Sequence, residues 1–300
     1  MTEYATITLA DPSSSLTATY VPAAGMICTS LSDGGIEFLG QRRGLQAYVD
    51  AGKTMGIPIL HPWANRLSAS TYEVDGAVVT LTDGADGVRA DEHGSPIHGV
   101  LAAYPGWNVI SQSDNQVTAE VDFAGTPALL AVFPFPHVLT VTATLADRTL
   151  IVETTVTPTA AASVPLCFGY HPYLQLPGVA RHEWLLETPA MRHRVVDTSG
   201  LPTGATEEWA ARAEPLGDTV LDDGFDQVGD GSVFAISGAG RRIEVSYEKG
   251  YPAAQLFAPS SDAVIGIEPM TAPTDALRKG GYRLAAPGKP VTARFSIRVS

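Results

Sequence analysis

Apolar and polar residues alternate with a period of two along most of the chain, which predicts short strands. The first is Tyr4–Ala10, followed by a turn at Asp11–Ser15 and strands over Leu16–Val21 and Met26–Leu31. Asp33-Gly34-Gly35 reads as a tight turn before Ile36–Leu39. Tyr72–Leu81 reads as a hairpin turning at Asp75-Gly76. The pattern resumes over Trp107–Gln112, Gln116–Phe123, Val138–Leu145, Leu150–Pro158, Val233–Ile236, Arg242–Tyr247, Ala254–Phe257 and Val291–Val299. Helical periodicity is scarce, with one short helical turn expected at Leu277–Gly281. Many short strands with frequent turns, and no repeat or linker, predict one all-β sandwich domain over residues 1–300.

Three stretches break the alternation. Residues 41–70 contain Pro58 and Pro62 within five residues and are expected to be a long ordered loop. Thr126–Pro136 is apolar with three prolines and is expected at an edge or in a loop. Val220–Asp226 is expected to be an acidic turn, without the ligand spacing of an EF-hand.

Composition narrows the function classes. The chain of 300 residues is 45% hydrophobic and 17% charged, as a folded protein would be. Its net charge is −13, from 19 basic and 32 acidic residues, with no Lys/Arg cluster. Nucleic acid and anionic membrane are therefore not expected partners, and a neutral small molecule fits better. No apolar run reaches the roughly 20 residues of a membrane span, and the N-terminus has no basic-then-apolar segment, so a cytoplasmic protein is expected. Cys28 and Cys167 have no neighbouring Cys at metal or redox spacing and are expected to be buried thiols.

Candidate chemistry comes from sparse polar residues in apolar or proline-locked surroundings. Glu268 ends the apolar run Val264-Ile265-Gly266-Ile267 and is followed by Pro269. A buried Glu is either salt-bridged or kept for chemistry, since burial raises its pKa and its strength as a base. Pro172 restrains His171 to an extended backbone between Tyr170 and Tyr173. His98 precedes Gly99, which allows close backbone approach. Asn65 and Arg66 can present an amide and a fork donor together. Asp222 and Gln255 complete the set. There is no Gly-rich phosphate loop and no Gly-x-Ser-x-Gly elbow, and two His with a Glu lack diagnostic metal spacing.

Six stretches in order resemble the aldose 1-epimerase (mutarotase) family. They are Gly56-Ile57-Pro58 through Trp63-Ala64-Asn65-Arg66, Ile97-His98-Gly99, Phe168-Gly169-Tyr170-His171-Pro172-Tyr173, Leu221-Asp222 with Phe225, Gln255, and Ile267-Glu268-Pro269-Met270-Thr271. The resemblance implies a large antiparallel β-sandwich (a galactose mutarotase-like supersandwich) with few short helices. It implies Glu268 as the base at the anomeric hydroxyl and His171 as the acid at the ring oxygen. Arg66, His98, Asp222 and Gln255 would bind sugar oxygens, with Asn65 supporting that face. Trp63, Tyr170 and Tyr173 are expected to stack on a pyranose. No metal or cofactor is expected, the partner is a free aldohexose, and the assembly is a monomer or weak homodimer. A hexose-6-phosphate mutarotase and a non-catalytic carbohydrate-binding protein are the alternatives. Tyr170 stands before His171 where members acting on galactose more often carry Asn. The stretch after Gly99 lacks an arginine that many relatives carry, which weighs against a phosphorylated sugar.

Overall fold

The computed structural model describes residues 4–300. It is 49% strand and 8% helix, as the alternating pattern predicts. Two large antiparallel sheets carry the fold. One has nine strands in the order Arg212–Pro215, Leu185–Thr188, Ser232–Gly238, Arg241–Lys249, Val291–Val299, Thr149–Pro158, His137–Ala146, Gln116–Asp122 and Asn108–Gln112. The other runs Pro202–Trp209, Met191–Val196, Leu221–Asp226, Ala253–Ala258, Ile265–Met270, Gly169–Tyr170 and Ile59–Leu60, with Tyr173–Leu174 also paired to Ile265–Met270. A four-stranded N-terminal sheet, the two-stranded sheet Val164–Leu166/Arg283–Ala285 and the hairpin Thr71–Val74/Ala77–Thr80 complete the architecture.

The alternation explains which face each strand buries. In His137–Ala146 and Thr149–Pro158, every second residue is buried over ten residues. Leu139, Val141, Val152 and Phe295 of the nine-stranded sheet share one core with Phe225, Leu256 and Ile267 of the other sheet. Both cysteines are free and buried there, and burial pushes the Cys28 thiol up to about 12. Among the described residues, no helix is long and apolar enough to cross a membrane.

The three irregular stretches fold differently from expectation. Residues 41–70 contain a helix, Gly44–Ala51, which ends at Gly52 in the left-handed region (φ 65°), and a two-residue strand, Ile59–Leu60. Tyr48 is the one fully buried residue of that helix, too little for a periodic apolar face to show in the sequence. Pro127–Val132 is a helix with proline in its first turn, where the missing N–H costs nothing. The acidic stretch is a strand, Leu221–Asp226, inside the second sheet. Its carboxylates are accommodated because Asp222 and Asp226 find donors on that sheet's open face. The short helix near the C-terminus spans Ala276–Lys279.

Candidate active site

Glu268 sits in Ile265–Met270, all six residues of which are buried. It is 1% exposed and lies beside Gln255 in the register with Ala253–Ala258. His171 links the short strands Gly169–Tyr170 and Tyr173–Leu174. Its backbone N–H donates to the Pro58 carbonyl, and that of Tyr173 donates to Gly56, so the proline-rich loop clamps this turn. The imidazole stacks on Tyr173 (centroids 4.1 Å apart, 14° between planes), with Phe257 edge-on. Room for the ring comes from Gly266. A Cβ there would stand 2.9 Å from His171 Cε1.

These constraints bring His171 Nε2 to 3.1 Å from Glu268 Oε1. Glu268 Oε2 and His171 Nδ1 are buried without a hydrogen-bond partner. Burial, reinforced by Asp222 and opposed by Arg66, raises the Glu268 carboxyl well above its ordinary range. Burial, with His98 and Arg42 nearby, holds His171 well below 6.5. Both groups are thus pressed toward their neutral forms, and one proton is enough for the pair. No lysine or arginine lies within 4.0 Å of Glu268 among the described residues, which removes the structural salt bridge as its reason for being buried.

Arg66 and His98 form the opposing wall. Arg66 Nε donates to Asp91 (2.8 Å) and Nη1 lies 3.4 Å from Asp222. Asp91 itself accepts from the His93 and Ser95 backbone N–H groups, so the guanidinium is anchored to a fixed loop. Asn65 takes a left-handed backbone (φ 58°), and its Oδ1 accepts from the Arg66 backbone N–H. The His98 backbone N–H donates to the Asn65 carbonyl. Gly99 follows, where a Cβ would stand 2.2 Å from the His61 carbonyl oxygen. The His98 ring is 5.8 Å from that of His171, and burial first, then Arg66, lowers its pKa to about 3. His98 is therefore a neutral hydrogen-bonding group near pH 7.

A cavity of about 320 Å³ lies between these walls. Asn65, Arg66, His98, His171, Asp222 and Glu268 all line it. Gln255 does not. It is 3% exposed and donates from Nε2 to Asp222 Oδ1 (2.8 Å), holding that carboxylate against the cavity. Tyr173 lines the cavity, whereas Trp63 and Tyr170 belong to the core. Tyr170 O–H pairs with Thr154, and its ring packs on Phe295 of the other sheet. The strand alternation that turns His171 toward the cavity turns Tyr170 away from it.

Sequence reasoning missed Arg42, Thr54, Glu92 and Phe257 in the lining. Arg42 covers the Tyr173 ring (4.8 Å) and pairs with Asp262. Its partner is 220 positions away, so no local pattern marks it. Among the described residues, no cluster of three or more His, Cys, Asp or Glu could hold a metal ion.

The fold is thus an antiparallel sandwich that holds a buried imidazole–carboxyl pair against a polar cavity. The model of the aldose 1-epimerase family matches residues 7–298, and the chain belongs to that family. Similar solved structures include the Slr1438 protein of Synechocystis sp. It is 23% identical, covers 100% of this chain and 96% of its own, and has a TM-score of 0.82. A galactose mutarotase-like protein from Clostridium acetobutylicum is 16% identical over 99% and 96%, with a TM-score of 0.84. The GalM/aldose epimerase homologue from C. elegans is 20% identical over 99% of both chains, with a TM-score of 0.80. At these identities the likeness concerns the fold.

Proposed function

We propose that this protein is a mutarotase that interconverts the α and β anomers of a free aldohexose. The observation that carries the reading is the buried 3.1 Å contact between His171 Nε2 and Glu268 Oε1 on the cavity wall. The hemiacetal O1 and the ring oxygen share one carbon, so the group that takes a proton and the group that gives one must be neighbours. The pair's one proton first passes from Glu268 to His171 across their 3.1 Å contact; Glu268 then takes the proton from O1 while His171 delivers its proton to the ring oxygen. The C1–O5 bond breaks and C1–O1 becomes a carbonyl. After rotation about C1–C2, protonated Glu268 returns its proton to O1 and neutral His171 recovers one from the O5 hydroxyl as the ring closes on the other face. The pair holds one proton throughout, so no net charge is created in a low-dielectric site.

Arg66, neutral His98, Asn65 and Asp222 supply donors and acceptors for the sugar hydroxyls, with Gln255 positioning Asp222. Two arginines line the cavity, but the carboxylates of Glu92 and Asp222 line it too, which favours an uncharged polyol over a phosphate dianion. The test is polarimetry of freshly dissolved α-D-glucose and α-D-galactose with wild type and Glu268→Gln in parallel. Acceleration by wild type alone supports the reading and ranks the sugars. No acceleration of either sugar by wild type, or equal acceleration by the variant, overturns it.

A further inference from the structure

A second and larger cavity, of about 700 Å³, opens on the same sheet. Its lining includes Arg192 and Arg194 on one strand, Asp226 on the next, and Lys279 with Asp275 at the short C-terminal helix. Asp226 and Asp222 are on one strand at even spacing, so they share a face about 13 Å apart. This cavity is therefore separate from the His171–Glu268 site.

Its charge runs against that of the protein. One carboxylate serves two guanidiniums. Arg192 grips Asp226 through Nε (2.7 Å) and Nη2 (3.0 Å), and Arg194 Nη1 takes Asp226 Oδ2 (2.6 Å). Asp275 is occupied elsewhere, accepting from the Ser68 backbone N–H and hydroxyl. Glu208, across the sheet edge from Arg192, adds a negative charge outside the cavity lining. Arg194 Nε is buried with no acceptor. Lys279 is exposed and has no carboxylate within 4.0 Å among the described residues. A chain of net charge −13 has thus gathered three cations around one hollow and left donors there unmatched.

We propose that this cavity binds the phosphate group of a small phosphorylated metabolite, at a site distinct from the catalytic one. Guanidinium donors match phosphate oxygens, and the three lining cations exceed the two lining carboxylates, Asp226 and Asp275, by one positive charge that a phosphate would meet. The volume falls within the range of small-molecule sites and exceeds what inorganic phosphate alone would fill. A nucleic acid is disfavoured by the overall charge.

Isothermal titration with inorganic phosphate, glucose 6-phosphate and glucose tests this. Saturable binding of both phosphate probes is expected, with glucose 6-phosphate tighter than phosphate. Affinity should fall about ten- to hundredfold in Arg194→Ala and in Lys279→Ala. Arg194→Ala leaves Asp226 paired with Arg192, and Lys279 is on the rim, so a folding failure of one variant leaves the other informative. Glu268→Gln should bind the phosphate probes like wild type, which keeps this result independent of the proposed mutarotase activity. Absence of phosphate binding, or binding lost in Arg66→Ala and kept in both Arg194→Ala and Lys279→Ala, overturns the proposal. The latter outcome would put the phosphate in the catalytic cavity.

Discussion

Two histidines outside the candidate site make the fold sensitive to acid. His61 and His137 are 1% and 0% exposed and meet through their Nε2 atoms at 3.0 Å, among Phe123, Phe133 and Phe168. His137 Nδ1 is 2.6 Å from the Phe135 carbonyl, which can only accept, so Nδ1 carries the proton. His137 Nε2 must then accept from His61 Nε2–H, and His61 Nδ1 is left bare, buried and unpartnered. A second proton would put an N–H at that Nδ1 with nothing to receive it. Burial accordingly lowers His137 to about 4 and His61 well below 6.5. Both groups have depressed native pKa values, so they oppose folding once the unfolded chain begins to take up protons. Stability is intact above pH 6.5 and is lost as pH falls toward the native values. With an unfolded pKa near 6.5, each neutral histidine forfeits about 2 kcal/mol between pH 7 and pH 5, so the pair forfeits about 4 kcal/mol. That is a large part of an ordinary domain's 5–15 kcal/mol. His137→Gln can still donate to the Phe135 carbonyl and accept from His61, but it does not titrate. Urea unfolding followed by tryptophan fluorescence from pH 7 to pH 5 should therefore show a stability drop about 2 kcal/mol smaller in the variant than in wild type. The two drops agreeing within about 0.5 kcal/mol would refute the neutral-pair assignment.

Other consequences are open to equally direct measurement. Glu268→Gln should slow mutarotation by about 10²–10⁴-fold, read by polarimetry, with circular dichroism unchanged. The same variant removes a carboxyl whose native pKa is raised. In wild type that group contributes stability below its unfolded value of 4.5 and loses it as pH rises, so Glu268→Gln should gain more stability relative to wild type at pH 8 than at pH 5 in urea titrations. Because the His171–Glu268 pair works with one shared proton, the rate should follow a bell-shaped pH profile, and His171→Asn should flatten one limb. Gly266→Ala puts a Cβ 2.9 Å from His171 Cε1, so the ring must shift, and kcat should fall more than about tenfold in a protein that still folds.

The strand-rich fold and most of the candidate site can be read in the sequence because their signals are local. Period-two alternation places side chains on opposite faces whatever the distant partners are, so the long strands His137–Ala146, Thr149–Pro158 and Val291–Val299 match their apolar patterns closely. An ionisable residue inside an apolar or proline-locked run is equally visible, and Glu268, His171, His98 and Arg66 all line one cavity. Elements with little apolar periodicity escape such reading, as the helices Gly44–Ala51 and Pro127–Val132 do. Tertiary structure alone decides what two distant side chains do to each other. It sets Glu268 against His171 instead of an arginine, and it makes Gln255 a prop for Asp222. It turns Tyr170 into the core, carries Arg42 over Tyr173, and gathers Arg192, Arg194 and Lys279 around a second cavity. A residue's type and neighbours in sequence fix its propensity and its face. Its partner, its desolvation and hence its protonation state depend on strands paired across tens to hundreds of positions, and those pairings exist only once the sheets have closed on one another.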